Sequence, residues 1–313
     1  MSQVPTQQDI YHLDKARVRA SFDRAADTYD AAAVMQKIVR EEMLNRLDLV
    51  SMQPSRILDA GCGTGHASQS LMRKYPDAQL VSLDFSMRML GKTRALNGSI
   101  WQRAKQLFGC DKQSYLCADL EKLPLADASI DMFWSNLAIQ WSNDLDAVFT
   151  DIHRVMRTEG LLTFSTLGPD TLKELRAASS VDGERVHVSR FLDMHDIGDA
   201  LVRAGFSAPV LDVERITLTY DDAIAVMRDL KSIGAHNAAD GRSRGLQGRG
   251  FLKQLTENYE RFRKDGKLPA TFEVVYGHAW KPAARPKTKI DLEAGFAPVK
   301  IHSRAKSETA RGD

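Results

Sequence analysis

The sequence predicts an α/β fold in which seven strands form a mostly parallel sheet and the last strand runs antiparallel. Short apolar strands alternate with helices between residues 56 and 167, which favours a parallel sheet with right-handed crossovers. The first strand ends in a glycine-rich loop. Two longer strands near the end of the chain are separated by a helical segment, which is typical of a closing hairpin that carries an insertion.

The individual elements follow from the spacing of apolar residues. Two helices are predicted within residues 15–49 from the helical recurrence of Val34, Ile38, Met43, Leu44 and Leu47. The strands are predicted at Arg56–Asp59, Gln79–Asp84, Ser114–Ala118, Ile130–Ser135, Gly160–Leu167, Pro209–Tyr220 and Thr271–Trp280. The helices between them are predicted at Gln69–Lys74, Met87–Leu96, Asp144–Met156, Thr171–Ala178 and Met194–Ala204.

These elements divide the chain into five segments. The segments are N-terminal helices (1–50), a ligand-binding core (51–220), a helical cap inserted before the last strand (221–268), the final core strand (269–280) and a tail (281–313). The tail is polar, rich in charges and interrupted by prolines, so we expect it to be disordered.

Composition and charge exclude several classes of protein. No apolar stretch of the 313 residues approaches the length needed to span a bilayer. Three cysteines and the lack of a signal-peptide pattern favour a reducing compartment, so we expect a cytoplasmic protein. Residues 1–239 carry 27 basic and 32 acidic side chains, whereas residues 240–267 carry 8 and 4. No basic face is concentrated enough for duplex DNA, and we expect neither a nucleic-acid nor a membrane partner.

The most informative motif is Asp59-Ala60-Gly61-Cys62-Gly63-Thr64-Gly65, which follows the first strand. Glycines between a strand and a helix let the backbone approach a ligand closely. A dinucleotide-binding loop would require a glycine at position 66, where this chain has His66. Asp59 would repel a pyrophosphate, whereas it can attract the ammonium group of a nucleoside that carries an amino acid.

Two further acidic residues follow the next two strands. Asp84 ends the second strand and can accept hydrogen bonds from both hydroxyls of a ribose. Asp119 follows the third strand, where it can receive the amino group of an adenine. A single aspartate at such a position can instead cap a helix. Because three acids reach the carboxyl edge of one sheet, together they indicate a nucleoside site.

These motifs resemble those of the class I S-adenosylmethionine-dependent methyltransferases over about residues 50–170. The resemblance implies a Rossmann-like fold and S-adenosyl-L-methionine as the cofactor. It also implies that the glycine loop holds the methionine part, that Asp84 binds the ribose and that Asp119 lies beside the adenine. The residues expected to bind the cofactor are Asp59, Gly61, Gly63, Gly65, Asp84, Asp119, Leu120 and Asn136.

Stretches outside these motifs are similar to a narrower family, the malonyl-acyl-carrier-protein O-methyltransferases of biotin synthesis. The similar stretches are residues 21–26, 28–30, 135–141, 165–169, 171–176, 241–246 and 268–280. This resemblance implies methylation of the free carboxylate of malonyl-acyl carrier protein. The alternatives are a complex I assembly factor of the same fold, which either modifies arginine or only binds a protein, and a methyltransferase of another small carboxylic acid.

A malonyl carboxylate is ionised at neutral pH, so such an enzyme needs a positioning cation rather than a general base. Arg176 is the first candidate because the strand before it should end beside the methyl group, although it could equally lie on a solvated helix face. The resemblance suggests that Tyr29 covers the cofactor, and Gln140 follows the fourth strand, where the acceptor should approach. The predicted catalytic residues are therefore Tyr29, Gln140 and Arg176.

The substrate or its carrier is expected to contact an aromatic residue and three arginines of the cap. Acyl carrier proteins are acidic, so a basic cap would steer one to the site; the alternative is a solvated helix surface balanced by nearby glutamates. Trp141 could equally be a core residue. No histidine or cysteine spacing fits a zinc site, and we expect no metal. These predicted contacts are Trp141, Arg242, Arg244 and Arg249.

Overall fold

A computed structural model describes residues 12–97, 112–179, 191–234 and 249–283. Its strands are β1 (Arg56–Ala60), β2 (Gln79–Asp84), β3 (Gln113–Cys117), β4 (Ile130–Asn136), β5 (Met156–Leu167), β6 (Ser207–Tyr220) and β7 (Leu268–Trp280). Its helices are α1 (Lys15–Ala25), α2 (Tyr29–Ala32), α3 (Val34–Arg46), α4 (His66–Lys74), α5 (Met87–Asn97), α6 (Leu145–Val155), α7 (Lys173–Ser179), α8 (Met194–Arg203), α9 (Ala223–Ser232) and α10 (Arg249–Glu260). Single 3₁₀ turns span Leu47–Leu49 and Ile139–Trp141.

The seven strands form one sheet in the order β3-β2-β1-β4-β5-β7-β6. The strands β3, β2, β1, β4 and β5 pair in parallel, and β7 runs antiparallel to both β5 and β6. The predicted fold class is therefore confirmed. Because β1, β2 and β4 are neighbours with the same direction, the residues that follow them lie at one edge of the sheet.

The last strand begins three residues earlier than the sequence predicts and contains a proline. Pro269 pairs only with Thr219 of β6, because the pairing of β7 with β5 begins at Val274. A proline is tolerated at such a half-unpaired position, since no neighbour on that side requires its missing N–H. The Tyr259 hydroxyl donates to the Pro269 carbonyl at 2.8 Å.

The N-terminal helices are held against the carboxyl edge of the sheet. Asp14 caps α1 by accepting a hydrogen bond from the backbone N–H of Arg17 at 3.2 Å. At the other end of α1, the Ser86 hydroxyl donates to Asp23 at 2.5 Å. On α3, Val39 is fully buried in the main hydrophobic core. The first helices therefore cover the region where β1 and β2 end.

Two helices, α9 and α10, lie within the predicted cap segment. Their residues Val226, Leu255 and Tyr259 join the hydrophobic cluster that includes β7. Arg242, Arg244 and the tail beyond residue 283 lie outside the described residues, as does the side chain of Arg249, the first residue of α10. Among the described helices, none has the length and apolar character needed to cross a membrane.

Candidate active site

The loop between β1 and α4 requires glycine for its backbone conformation. Gly61, Gly63 and Gly65 have φ values of +78°, +55° and +91°, which side chains disfavour. A Cβ on Gly61 would lie 2.3 Å from the Cβ of Ala138, and one on Gly65 would lie 2.9 Å from the Cα of Thr93. The loop therefore passes closer to its neighbours than any larger residue would allow.

Asp59, the last polar residue of β1, is almost completely buried, with 1% of its surface exposed. Its Oδ2 accepts a hydrogen bond from the Ser68 hydroxyl at 2.5 Å. Burial raises the pKa of Asp59 to about 7, and the negative charge of Asp84 adds to this rise, whereas the Ser68 hydrogen bond opposes it. A cationic ligand beside this carboxylate would stabilise its ionised form.

Asp84 ends β2 and is fixed by two backbone donors. The N–H of Gly63 donates to one carboxylate oxygen at 2.9 Å, and that of Ser86 donates to the other at 2.8 Å. Burial raises the pKa of Asp84 to about 6, and the charge of Asp23 contributes to the rise, while the two N–H donors oppose it. The carboxylate also lines a cavity, so its remaining lone pairs can accept hydrogen bonds from a ligand.

This first cavity, which we call the nucleoside cavity, contains about 600 Å³ of space between atoms. Four of the residues predicted to bind the cofactor, Asp84, Asp119, Leu120 and Asn136, line this cavity. Lys15 of α1 also lines it and pairs with Asp119 at 3.1 Å. The ion pair joins the N-terminal helix to the end of β3.

An aromatic group covers one side of the nucleoside cavity. The Phe22 ring lies edge-on to the rings of Phe85 and Trp141, with centroid distances of 6.0 Å and 5.2 Å. All three residues line the cavity. Trp141 therefore faces the predicted cofactor site, and the three rings exclude water from that side.

A second cavity, which we call the amino-acid cavity, lies beside the first and shares Tyr29, Gly61, Gly63 and Asn136 with it. Asp59 lines only the amino-acid cavity. Because Tyr29 borders both spaces, it lies at their junction. Burial raises the pKa of the Tyr29 hydroxyl well above its ordinary value, with the charges of Asp84 and Asp30 contributing. The hydroxyl is consequently a hydrogen-bond donor at neutral pH.

Sequence reasoning missed three polar residues of α3 that line the amino-acid cavity, namely Gln36, Lys37 and Arg40. Gln36 Oε1 is buried and has no hydrogen-bond partner within the described part of the chain. The Asn136 side chain donates to the backbone carbonyl of Gln36 at 3.1 Å, which joins α3 to the end of β4. The sequence does show that Gln36 and Arg40 share a helix face, since residues at i and i+4 do so. It does not show where α3 docks.

The structure places Arg176 away from these two cavities. Its guanidinium donates to the carbonyl oxygens of Pro169 and Thr171 at 2.9 Å and 2.7 Å, in the loop after β5. Arg176 does not line either cavity, so its role as a carboxylate ligand stays a prediction. Gln140 lines a third cavity beyond β4, where it receives a long hydrogen bond of 3.4 Å from Thr166.

The described donor set fits S-adenosyl-L-methionine. Asp59 can take the ammonium group of the methionine part, Asp84 the ribose hydroxyls, and Asp119 with Leu120 the adenine. The glycine loop leaves room where a Cβ would fill it. A family model described as "Methyltransferase domain" matches residues 58–164. The YcgJ protein of Bacillus subtilis has the same fold, with a TM-score of 0.54 and 13% identity over 78% of this chain and 100% of that chain. The chain is an S-adenosylmethionine-dependent methyltransferase.

Two curated relatives define the narrower family. The malonyl-[acyl-carrier protein] O-methyltransferase of Methylovorus sp. (strain MP688) is 64% identical over 96% of this chain and 99% of its own length. The protein of the same name from Laribacter hongkongensis (strain HLHK9) is 57% identical over 90% of this chain and 95% of its own length. The chain belongs to the malonyl-[acyl-carrier protein] O-methyltransferase family.

Proposed function

We propose that this chain methylates the free carboxylate of malonyl-acyl carrier protein to its methyl ester. The observation that carries the proposal is the 64% identity, across nearly the whole of both chains, to a relative named for this reaction. The intact glycine loop and the three acids support it, because an enzyme of this family must bind the methyl donor. A place at the start of biotin synthesis follows from the same resemblance and stays a prediction.

The reaction requires positioning more than proton transfer. A carboxyl group has an ordinary pKa of roughly 4, so the malonyl carboxylate is already ionised and nucleophilic at neutral pH. When bound, S-adenosyl-L-methionine supplies an electrophilic methyl group. The chain contributes the aromatic cover, which excludes water, and the polar residues Tyr29 and Asn136 at the junction of the two cavities. Positioning of this kind can contribute about 7–11 kcal/mol.

A carboxylate acceptor also needs a cation, and two arginines are candidates. Arg176 is the candidate from the sequence, and Arg40 is the one that the structure adds. The Arg40 side chain lines the amino-acid cavity and is 17% exposed, and its contact with Glu41 is long at 3.9 Å. The Arg40 guanidinium can therefore bind a carboxylate without first breaking a close ion pair.

We propose that the carrier protein docks on the basic cap, with Arg242, Arg244 and Arg249 among its contacts. Described cap residues add to the positive charge: Lys264 is exposed, and Lys253 lies 3.8 Å from Glu257, a weak surface pair. Salt screens such a surface. The rate with malonyl-acyl carrier protein should therefore fall with salt more steeply than the rate with malonyl-coenzyme A. Equal salt profiles would remove the docking argument.

The function is tested by measuring release of S-adenosylhomocysteine with matched carriers. Malonyl-acyl carrier protein should support turnover, and acetyl-acyl carrier protein, which lacks the free carboxylate, should not. Turnover with both carriers, or with neither, would contradict the proposal. The same assay with malonyl-coenzyme A as the acceptor measures how much the carrier protein itself contributes to the rate.

A further inference from the structure

The third cavity lies beyond the carboxyl ends of β4 and β5 and contains about 480 Å³ of space between atoms, part of which is open to solvent. Ser142 lines both this cavity and the nucleoside cavity. The two spaces therefore share a wall at Ser142, on the side of the sheet where the predicted acceptor residue Gln140 lies. We call the third cavity the arm cavity.

The lining of the arm cavity is apolar with a few uncharged polar groups. Ile139, Leu145, Phe164 and Ile197 supply hydrocarbon surface, and no described lining residue carries a charge. This composition disfavours a phosphate or a carboxylate, because a buried charge without a partner is costly. It suits a flexible, uncharged chain.

The polar groups of the arm cavity have unused hydrogen-bonding capacity. The Ser142 hydroxyl is buried and has no hydrogen-bond partner among the described residues. Thr166 donates to Gln140 Oε1 over a long 3.4 Å. Buried polar groups are normally paired, so an unpaired hydroxyl on a residue that lines a cavity points to a partner supplied by a ligand. Amide groups of a ligand can donate to and accept from such side chains.

We propose that the arm cavity binds the pantetheine arm of the thioester acceptor, an uncharged chain of methylene, dimethyl and amide groups. The inference rests on the proposed function, since it supplies the path by which a carrier-bound malonyl group reaches the junction at Tyr29. The arm lies along the hydrocarbon lining and its amides bond to Ser142 and Thr166. The malonyl carboxylate then points away from the arm cavity toward the nucleoside and amino-acid cavities.

The test compares binding of carrier proteins that differ only in the arm. Holo-acyl carrier protein has the arm without a malonyl group, and apo-acyl carrier protein lacks the arm. Calorimetry should show tighter binding of the holo form to the wild-type chain. Leu192 lines the arm cavity and is 40% exposed, so Leu192→Trp narrows the space at little cost to folding. This variant should bind the two carriers equally.

Two further variants make the result decisive. Val202→Trp is the matched control, because Val202 is 58% exposed on α8 and does not line the arm cavity; it should keep the full holo-to-apo difference. Ser142→Ala removes an unpaired hydroxyl, so it should fold normally and reduce the difference by about 2- to 12-fold. Equal binding of both carriers to the wild type, or an undiminished difference in Leu192→Trp, would overturn the proposal.

The binding test does not depend on methyl transfer. If the holo form binds more tightly but no carrier is methylated, the arm cavity stands and the proposed function fails. A malonyl thioester of N-acetylcysteamine, which has only the end of the arm, gives the converse measurement. In Leu192→Trp, turnover of malonyl-acyl carrier protein should fall more than turnover of this short thioester, whereas Val202→Trp should leave both rates unchanged.

Discussion

The raised pKa of Asp84 gives a quantitative prediction for cofactor binding. Ribose hydroxyls donate to a carboxylate, so the cofactor selects the ionised form of Asp84. Burial raises the pKa of this group to about 6 in the free protein. Lowering the pH through this value protonates Asp84 and removes the acceptor. The affinity for S-adenosyl-L-methionine should therefore fall as the pH falls, and binding near the pKa should release protons to the solvent.

The size of this pH effect follows from the raised pKa values of Asp84 and Asp59. A carboxyl group with a pKa of about 6 is ionised in roughly one molecule in eleven at about pH 5, so Asp84 alone should weaken binding about tenfold relative to about pH 7.5. Asp59, with a pKa of about 7, titrates in the same direction when it receives the cofactor's ammonium group. The total loss over this range should therefore exceed tenfold.

Isothermal titration calorimetry in two buffers of different ionisation enthalpy measures both the affinity and the protons released. The variant Asp84→Asn is the control, because it removes the titrating group and one charged acceptor. It should bind about 13- to 160-fold more weakly at about pH 7.5, since hydrogen bonds to charged groups contribute about 1.5–3 kcal/mol, and its affinity should change less with pH. A wild-type affinity that is constant between about pH 5 and 7.5, or an unchanged pH profile in the variant, would refute the reasoning.

Four substitutions test other parts of the chain, and a fifth, Gly91→Ala, serves as a control. Gly61→Ala should lower the free energy of unfolding by more than about 1 kcal/mol, because it combines a positive φ with a Cβ only 2.3 Å from the Ala138 Cβ. Gly91→Ala, at a helical site with open space around it, should raise the free energy of unfolding by about 0.5–1 kcal/mol. Urea unfolding measures both changes, and equal effects of the two substitutions would contradict this prediction. Tyr29→Phe should lower kcat about 2- to 12-fold through loss of one hydrogen bond, while calorimetry shows an unchanged cofactor affinity. An unchanged kcat would mean that Tyr29 contributes only to packing. Arg176→Ala should lower the free energy of unfolding by about 1–3 kcal/mol because it removes two loop hydrogen bonds, and loss of turnover at unchanged stability would instead support a carboxylate ligand. Arg40→Gln should raise the KM for malonyl-acyl carrier protein if Arg40 binds the acceptor. If Arg40 instead binds the cofactor's carboxylate, the variant should bind S-adenosylhomocysteine more weakly but 5′-methylthioadenosine, which lacks that carboxylate, as well as the wild type does. No change in any of these three measurements would exclude Arg40 as a carboxylate ligand.

The parts of the site that follow from local rules could be predicted from the sequence. Asp84 and Asn136 end parallel strands and Asp59 is the residue before the end of another, and parallel strands that are neighbours bring their carboxyl ends to one edge. The need for glycine at positions 61 and 65 could also be predicted, because a tight strand-to-helix turn requires residues with positive φ. The fold class followed from the same alternation of strands and helices.

Residues positioned by tertiary packing could not be predicted. Lys15 and Arg40 reach the cavities only because α1 and α3 dock on the sheet edge, and no local pattern specifies that docking. Arg176 illustrates the converse case. The helix that carries it was predicted, but its guanidinium bonds to loop carbonyls that only the folded chain brings within reach. The order of helices and strands was therefore more predictable than the groups that each long side chain contacts.

Intact-protein mass spectrometry detects carboxylate methylation of a carrier-bound malonyl group on the product itself. Malonyl-acyl carrier protein is incubated with the chain and S-adenosyl-L-methionine, with Asp84→Asn as the weakened control. We expect the malonyl carrier to gain one methyl group, more slowly with the variant, and acetyl-acyl carrier protein to gain none. A malonyl carrier that keeps its mass while the chain binds S-adenosyl-L-methionine would contradict this expectation.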